Sequence, residues 1–220
     1  IRDRISTLEI DQFGEKAIRD LGCVPNFLNY NGYPASICVS VNDEVVHGIP
    51  RKDRILQDGD IVSLDAGLIH EGYHSDAART HAVGNISEEA KRLIEVTKQS
   101  FFEGIKLAIP GNHLFDISEA IQKYVESNGY SVVRDLVGHG IGTHLHEDPQ
   151  IPNFKQRRKG MKLRPGMTLA IEPMVNEGSY DVVWLDDDWT VVTEDGSLAA
   201  HYENTIVITE DGCEILTLSE

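Results

Sequence analysis

Four acidic residues and one histidine lie in segments of this sequence that otherwise have the character of buried β-strands. The five positions are Asp65, Asp76, His139, Glu172 and Glu203. Carboxylates on apolar strands repel one another and lose hydration where they converge, unless cations of high charge neutralise them. The sequence therefore predicts that these side chains meet at a site for two divalent metal ions.

The two aspartates lie on either side of a predicted β-hairpin. A turn centred between His70 and Glu71 sets Asp65 directly opposite Asp76. Their Cβ atoms are then roughly 5 Å apart, where like charges destabilise a sheet unless a metal ion is bound between them. A shift at Gly72 is an alternative that moves this register by one residue. A second alternative is an exposed hairpin with two solvated aspartates.

Three histidines, His139, His144 and His146, fall within eight residues of a glycine-rich segment. A glycine precedes and follows the first of them, and glycine lets a backbone approach a ligand closely. The strand-like run 131–137 comes just before it, so the sequence predicts that His139 enters a site from the end of a strand. His144 has the weakest signal of the three.

Each of the two glutamates is the only charge in an apolar, β-prone run, 168–175 for Glu172 and 202–209 for Glu203. A charge buried in such a strand needs a partner. The alternative for either glutamate alone is an edge strand that turns the side chain to water. The aspartate pair and the glycine-flanked histidine favour a shared site.

Together these motifs resemble the type I methionine aminopeptidases, which are metallopeptidases of the pita-bread fold. The similarity runs from about Ser6 to the C-terminus, and it includes the segment 31–50, which separates this family from its proline-specific relatives. The resemblance implies a mixed α/β (α+β) fold with a pseudo-two-fold antiparallel sheet covered by helices. It also implies a single catalytic domain over residues 1–220.

The resemblance further implies how two divalent ions are bound. One ion lies between Asp65 and Asp76, and the other is bound by Asp76, His139, Glu172 and Glu203. The resemblance also implies that Asp76 and Glu203 bind both ions and so bridge the pair. A carboxylate-rich site with one imidazole accepts Co, Mn, Fe or Zn.

The activity implied by the resemblance is removal of the N-terminal methionine from nascent proteins and peptides, with preference for a small second residue. A hydroxide that bridges the ions attacks the scissile carbonyl, and Glu172 shuttles the proton. His146 contacts the scissile amide, and His47 donates a hydrogen bond to the tetrahedral intermediate.

Selectivity for methionine requires a narrow apolar cleft. By the same resemblance, its walls are Phe27, Tyr30, Tyr33, Cys38, Leu145 and Trp189. The alternative for this group is ordinary core packing, which is common for clustered aromatic residues.

Composition sets the remaining expectations. The formal net charge of -16 argues against direct binding of nucleic acid, since phosphate contacts require clustered Lys and Arg. No apolar run approaches the length of a membrane span, and no signal peptide is evident. The three scattered cysteines favour a reducing compartment, so we expect a cytoplasmic protein. The family resemblance further implies that the protein is a monomer that acts on nascent chains, with the ribosome as a partner.

The sequence also contains a weak internal repeat. An offset of 107 residues aligns Ser6–Gly22 with His113–Gly129, with three identities in seventeen positions. Helices are predicted over Thr7–Leu21, near Glu88–Lys106 and over Asp116–Asn128, with a capping box formed by Ser6 and Glu9 and a second N-cap at Ser87. Both copies of the repeat are therefore helices that end at a glycine. A long amphipathic helix precedes only the second copy. An N-terminal helix is therefore expected to be missing from this chain.

Two rival interpretations remain at this point. A proline-specific peptidase of the same fold would share the metal ligands, although the segment 31–50 argues against it. A non-catalytic binding module is the other, because a fold does not guarantee chemistry.

Overall fold

The computed structural model describes residues 1–218, in which three long helices accompany a series of short and long strands. The helices are Thr7–Asp20 (α1), Glu88–Ile105 (α2) and Leu114–Ser127 (α3). In chain order, strands β1 to β15 are Val24–Pro25, Cys38–Val41, Glu44–Val46, Ile61–His70, Tyr73–Ala82, Ser131–Val132, Gly138–Gly140, Glu147–Ile151, Thr168–Ile171, Met174–Asn176, Val182–Trp184, Val191–Thr193, Ala199–His201, Asn204–Ile208 and Cys213–Ile215.

Capping residues determine where the helices begin. The Ser6 hydroxyl accepts a hydrogen bond from the Glu9 backbone N–H, and the Glu9 carboxylate accepts one from the Ser6 N–H, which confirms the predicted capping box. Ser87 is the N-cap of α2, as predicted. Helix α3 begins two residues before its predicted start at Asp116, because that carboxylate accepts a hydrogen bond from the His113 N–H and fixes His113 as the N-cap.

The strands form antiparallel sheets whose orders are β1–β4–β2 with β5 on β4, β6–β10–β13, β3–β12–β11 and β8–β7–β9–β14–β15. Strands β9 and β14 pair in the largest sheet, whereas the strands next to them in sequence, β10 and β13, pair in another. This two-stranded ribbon therefore passes from one sheet into the next. The transition places two candidate ligands, as described below.

The internal repeat is confirmed and extends beyond the helices. Helices α1 and α3 each have 14 residues and end before a glycine with positive φ. An isolated bridge joins Ser6 to Ile55 and its counterpart joins His113 to Lys162, with the same offset. We call residues 6–83 the first half and residues 113–208 the second half.

The hydrophobic core lies between the helices and the sheets. The predicted apolar face of α2 is buried, with Leu93 and Phe101 fully enclosed, and it packs with α3 against the second half. Helix α1 covers the first half, where Val39 and Val41 of β2 face it. Cys38 alternates with them and faces the opposite side of the strand, toward the cavity described below. Within residues 1–218, the helices are too short or too polar to cross a membrane.

Candidate metal centre

The β4–β5 hairpin supports Asp65 and Asp76, but not in the predicted register. Its turn consists of Glu71 and Gly72, both with positive φ (50° and 85°), which is the pattern of a type I′ turn. Asp65 therefore pairs with Ala78, two residues beyond Asp76. The predicted direct pairing is wrong, because the chain reverses over two left-handed residues rather than between His70 and Glu71.

The shift of two residues keeps both aspartates on the same face of the hairpin, as diagonal neighbours. The two carboxylates are close enough for each to influence the pKa of the other. Burial raises the pKa of Asp65 to about 7. Burial also raises the pKa of Asp76, and the nearby charges of Glu203 and Asp65 raise it further. Without a cation, this pair resists ionisation.

Glu172 and Glu203 lie between strands rather than inside them, contrary to the sequence prediction. Glu172 follows the end of β9, and Glu203 precedes the start of β14. Both therefore sit where the ribbon passes between sheets, and Pro173, which lacks an N–H for the ladder, marks this break. The break aims the two glutamates at the aspartate pair.

Both glutamates lie in the same region, where Glu203 is 2% exposed and the side chain of Glu172 is 14% exposed. Burial raises the pKa of Glu172 well above its ordinary value, and the charges of Asp65 and Asp76 raise it further. Burial does the same to the pKa of Glu203, followed by the charges of Glu172 and Asp65. Four carboxylates with raised pKa values thus converge at one point.

His139 lies inside a strand of its own, β7, whereas the sequence predicted a turn after a strand over 131–137. Only Ser131–Val132 of that run is a strand. The flanking glycines allow close approach of backbone rather than of a ligand. A Cβ on Gly138 would lie 2.4 Å from the Ala170 carbonyl oxygen, inside the neighbouring strand β9.

The hydrogen bonds of His139 leave one ring nitrogen free for a metal ion. Its Nδ1–H donates to the Gly140 carbonyl (2.8 Å), so Nε2 has a free lone pair. Nε2 lies 3.6 Å from the Glu172 carboxylate. Burial lowers the pKa of His139 to about 4, with a smaller contribution from His146, so the ring is neutral at neutral pH.

These donors fit divalent metal ions. Ligand atoms of Asp76, His139 and Glu203 lie within 4.8 Å of one another, and those of Asp65, His201 and Glu203 form a second such group. In the described part of the chain, Asp65 Oδ1 and Glu203 Oε1 are buried without a hydrogen-bond partner. Glu203 belongs to both groups, and mixed carboxylate and imidazole donors suit first-row divalent ions.

His201 is a residue of this centre that the sequence reasoning missed. Its side chain is 2% exposed, and its Nε2 lies 3.9 Å from both Glu172 and Glu203. Burial lowers its pKa to about 3, with smaller contributions from His47 and Arg79. The internal repeat, followed further along the second half, was the signal that could have identified His201. An additional hairpin between β10 and β13 changes the spacing there and so hides the match.

His47 and His146 line the same cavity as the candidate ligands. Burial lowers the pKa of both rings, that of His47 to about 4. The His146 Nδ1 lies 2.7 Å from the Tyr30 hydroxyl, and its ring is 4.3 Å from that of His139. His144 is exposed and binds Glu147 outside this centre, in line with its weak signal.

The cavity has a volume of about 690 Å³. Besides the five predicted ligands, it is lined by all six residues expected to form the apolar cleft, which are Phe27, Tyr30, Tyr33, Cys38, Leu145 and Trp189. The Trp189 ring packs edge-on against Tyr33, with centroids 5.0 Å apart. These residues form a small apolar cluster, as the alternative of ordinary packing anticipated, but the cluster is also the wall of a cavity.

Comparison with known proteins agrees with this geometry. A model of metallopeptidase family M24 matches residues 1–210. The methionine aminopeptidase of Clostridium acetobutylicum is 58% identical, over 98% of this chain and 86% of the relative. The crystal structure of methionine aminopeptidase from Thermotoga maritima superposes with a TM-score of 0.97 at 48% identity, over 100% of this chain and 88% of that chain.

The chain belongs to the methionine aminopeptidases of metallopeptidase family M24. It therefore has the pita-bread fold, uses divalent metal ions and removes N-terminal methionine from peptides. The prolidase of Pyrococcus furiosus superposes with a TM-score of 0.77 at 22% identity, over 100% of this chain and 58% of that chain. That likeness shows the shared M24 fold alone, so the proline-specific interpretation has no support beyond the fold.

Proposed function

We propose that this M24 chain binds two divalent ions at five ligands. Asp65, Asp76 and Glu203 would hold one ion, and Asp76, His139, Glu172 and Glu203 would hold the other, so that Asp76 and Glu203 are shared. The observation behind this proposal is the convergence of four carboxylates, of which Asp76 and Glu203 are buried, and one neutral imidazole on a single cavity. Co, Mn, Fe and Zn all suit such donors.

Two bound ions would supply positive charge that lowers the pKa of a water molecule in the cavity and polarises the scissile carbonyl. Glu172 accepts the proton of that water and returns it to the leaving amine. Its position supports this role, because one oxygen faces the ligand His139 while its side chain still borders the cavity. Asp65 borders the part of the cavity that receives the free α-amine, so only terminal residues are removed.

His47 and His146 act on the substrate rather than on the ions. Both rings border the cavity, and the lowered pKa of each keeps it neutral at neutral pH. The neutral ring of His146, held by Tyr30, contacts the scissile amide. His47 donates a hydrogen bond to the tetrahedral intermediate.

The methionine side chain enters the apolar cleft formed by the six wall residues named above. A thioether chain is flexible and makes favourable contacts with aromatic rings such as Tyr33 and Trp189. Crowding near His146 favours a small second residue. Peptides that begin Met-Gly, Met-Ala or Met-Ser are therefore substrates, and those that begin Met-Lys, Met-Leu or Met-Phe are largely spared.

The proposal extends to the setting of the enzyme. Residues 1–220 act as a single catalytic domain and a monomer, on chains that emerge from the ribosome in the cytoplasm. The three thiols, which are unpaired among the described residues, support a reducing compartment. The net charge of -16 argues against nucleic acid as a direct ligand.

Metal removal and single substitutions test these roles. Chelation should abolish cleavage of Met-Ala-Ser, and anaerobic titration with Mn, Fe, Co or Zn should restore it with two ions bound per chain. His139→Ala should lose metal, whereas His47→Ala and His146→Ala should keep metal and lose turnover. The exposed His144→Ala is the matched control and should retain both. Equal metal loss in all the variants would contradict the division of roles.

A peptide library that varies the first two positions tests specificity. Preference for N-terminal Met followed by a small residue agrees with the proposed cleft. Preference for Xaa-Pro peptides without N-terminal Met would contradict it.

A further inference from the structure

His201 occupies in the second half the backbone position that Asp76 occupies in the first. Asp76 pairs with Gly67 across the β4–β5 hairpin. His201 pairs with Met174 across β10 and β13, and the residue numbers of Gly67 and Met174 differ by the repeat offset. A candidate metal ligand in one half therefore corresponds to an imidazole in the other.

Two threonines give Asp76 and His201 the same pattern of backbone hydrogen bonds. The Asp76 N–H donates to the Thr205 hydroxyl (2.9 Å), and that hydroxyl donates to the Asp76 carbonyl (2.9 Å). The His201 N–H donates to the Thr80 hydroxyl (2.9 Å), which donates to the His201 carbonyl (2.9 Å). The backbone of His201 is thus held in place as firmly as that of Asp76.

The imidazole of His201 points from this backbone into the metal centre. Its Nε2 is 3.9 Å from Glu172 Oε2 and 3.9 Å from Glu203 Oε2. Among residues 1–218, neither ring nitrogen has a hydrogen-bond partner. Buried polar groups are nearly always hydrogen-bonded, so an imidazole fixed here without partners requires an explanation.

We propose that His201 is a positioning residue of the metal centre: its Nε2–H donates to the facing oxygens of Glu172 and Glu203 and thereby orients both carboxylates toward the ions. This inference rests on the proposed ligand set. Glu172 then lies between two imidazoles, because its other oxygen faces His139 Nε2 at 3.6 Å. Partners of this kind commonly fix the orientation of metal ligands.

Direct coordination is the competing role for His201, since its ring lies near oxygens of Asp65 and Glu203. A nitrogen ligand there would occupy the space beside Asp65 that the proposed function gives to the substrate α-amine. A hydrogen bond leaves that space open. It requires the carboxylates and the ring to approach by about 1 Å, to an ordinary hydrogen-bond distance.

The test compares two substitutions of His201 with a control. His201→Leu removes both ring nitrogens, His201→Gln keeps an N–H donor, and the exposed His144→Leu controls for loss of a histidine elsewhere. Mn²⁺ binding to each metal-free protein is measured by calorimetry, and turnover of Met-Ala-Ser is measured at saturating Mn²⁺. Thermal unfolding of the metal-free proteins shows whether each variant folds.

We expect His201→Leu to bind at least one ion roughly 10- to 100-fold more weakly than the wild type. Its kcat should fall while KM stays within about 2-fold. His201→Gln should stay within about 3-fold of the wild type in both measurements, because it retains the donor. Equal losses in both variants would overturn the proposal, and so would unchanged metal binding in His201→Leu.

A crystal structure of the Mn-loaded wild-type protein tests the same point without a variant. A distance of roughly 2.7–3.2 Å from Nε2 to a glutamate oxygen supports the proposal. A distance of about 2.1 Å from Nε2 to the metal overturns it, as does a ring that contacts neither. Absence of any ion at this site in the wild type would instead refute the proposed function, so the two failures are distinguishable.

Discussion

The two halves of the molecule share a backbone framework but present different side chains from it. In the first half, β4 and β5 form one continuous hairpin with two aspartates. In the second half, the corresponding ribbon breaks and presents Glu172, His201 and Glu203. The halves meet where Ala78 and Glu203 each donate a backbone N–H to the other's carbonyl (3.4 and 2.9 Å). Repetition of the backbone brings these side chains to one centre, and their differences give it mixed donors.

A second difference lies in the connections. The hairpin of β4 and β5 closes through a two-residue turn, whereas a further hairpin, β11–β12, separates β10 from β13. The loop of that hairpin contains Trp189, which packs against Tyr33 of the first half. The proposed substrate cleft therefore depends on the part of the second half that has no counterpart in the first.

The largest effect is expected for Glu203→Ala. This substitution gives the second half the alanine that the first half has at the corresponding position, Ala78. The variant loses the ligand that is proposed to be shared by both ions, and we expect kcat/KM to fall at least ~1000-fold, or ~4 kcal/mol. Metal analysis and turnover of Met-Ala-Ser measure the result. Glu214→Ala, at an exposed position of β15, is the control. Activity near that of the wild type would refute the assignment of Glu203.

Ile10 and Ile117 occupy matching positions in α1 and α3, and their truncation compares the two helices. Ile117 is 0% exposed and packs with α2 and the second-half sheet. Ile10 is 5% exposed and belongs to the smaller cluster between α1 and the first-half sheet. We expect Ile117→Ala to reduce the free energy of unfolding by ~4 kcal/mol and Ile10→Ala by ~2 kcal/mol. Chemical denaturation measures both, and equal or reversed losses would contradict the difference in packing.

The metal-free protein should lose stability as the pH rises above about 6.5. The raised pKa values of Asp65, Asp76, Glu172 and Glu203 mean that the folded protein holds protons that the unfolded chain releases near pH 4. That contribution to stability is fully present at low pH. It is lost as the pH rises from the unfolded-state pKa, near 4, through the folded-state pKa of each group, which is about 7 for Asp65.

The histidines with lowered pKa values have the opposite effect on stability, at pH values below about 6.5. The lowered pKa values of His47, His139 and His201 mean that the unfolded chain binds protons there that the folded protein does not. The two effects offset each other up to about pH 6.5, and only the carboxylates remain above it. We expect the melting temperature of the metal-free protein to fall by about 5 °C between pH 6.5 and 8.5. Excess Mn²⁺ should abolish the fall, and a rise in the metal-free protein would contradict it.

Thr205→Val and Thr80→Val give the smallest effects and the sharpest comparison of the halves. Each removes a hydroxyl that makes two hydrogen bonds with the backbone of its partner, Asp76 or His201. Each should reduce the free energy of unfolding by ~1–2 kcal/mol. Because Asp76 is assigned as a ligand and His201 as a positioning residue, Thr205→Val should weaken Mn²⁺ binding more. Equal metal affinities would remove that distinction.

The sequence predicted the helices and the candidate residues of the centre better than it predicted the strand register and strand ends around those residues. Helix starts followed from local capping at Ser6 and Ser87, which short-range hydrogen bonds decide. The register of Asp65 and Asp76 was wrong by two residues, because both Glu71 and Gly72 adopt positive φ and nothing local distinguishes that turn from its neighbours. Single charges in apolar runs identified Glu172 and Glu203 but did not reveal that the strands break there.

The sequence by itself identified five candidate ligands that the structure brings to one cavity, because single charges in apolar runs and glycine-flanked histidines have few stable explanations other than a metal site. It also determined the family, through motifs that depend on residue type and spacing. Only the tertiary structure decided that the ribbon changes sheets at the glutamates and that His201 corresponds to Asp76. Those features depend on pairing between residues more than a hundred positions apart, and such pairing is fixed by the packing of the two halves rather than by any local pattern.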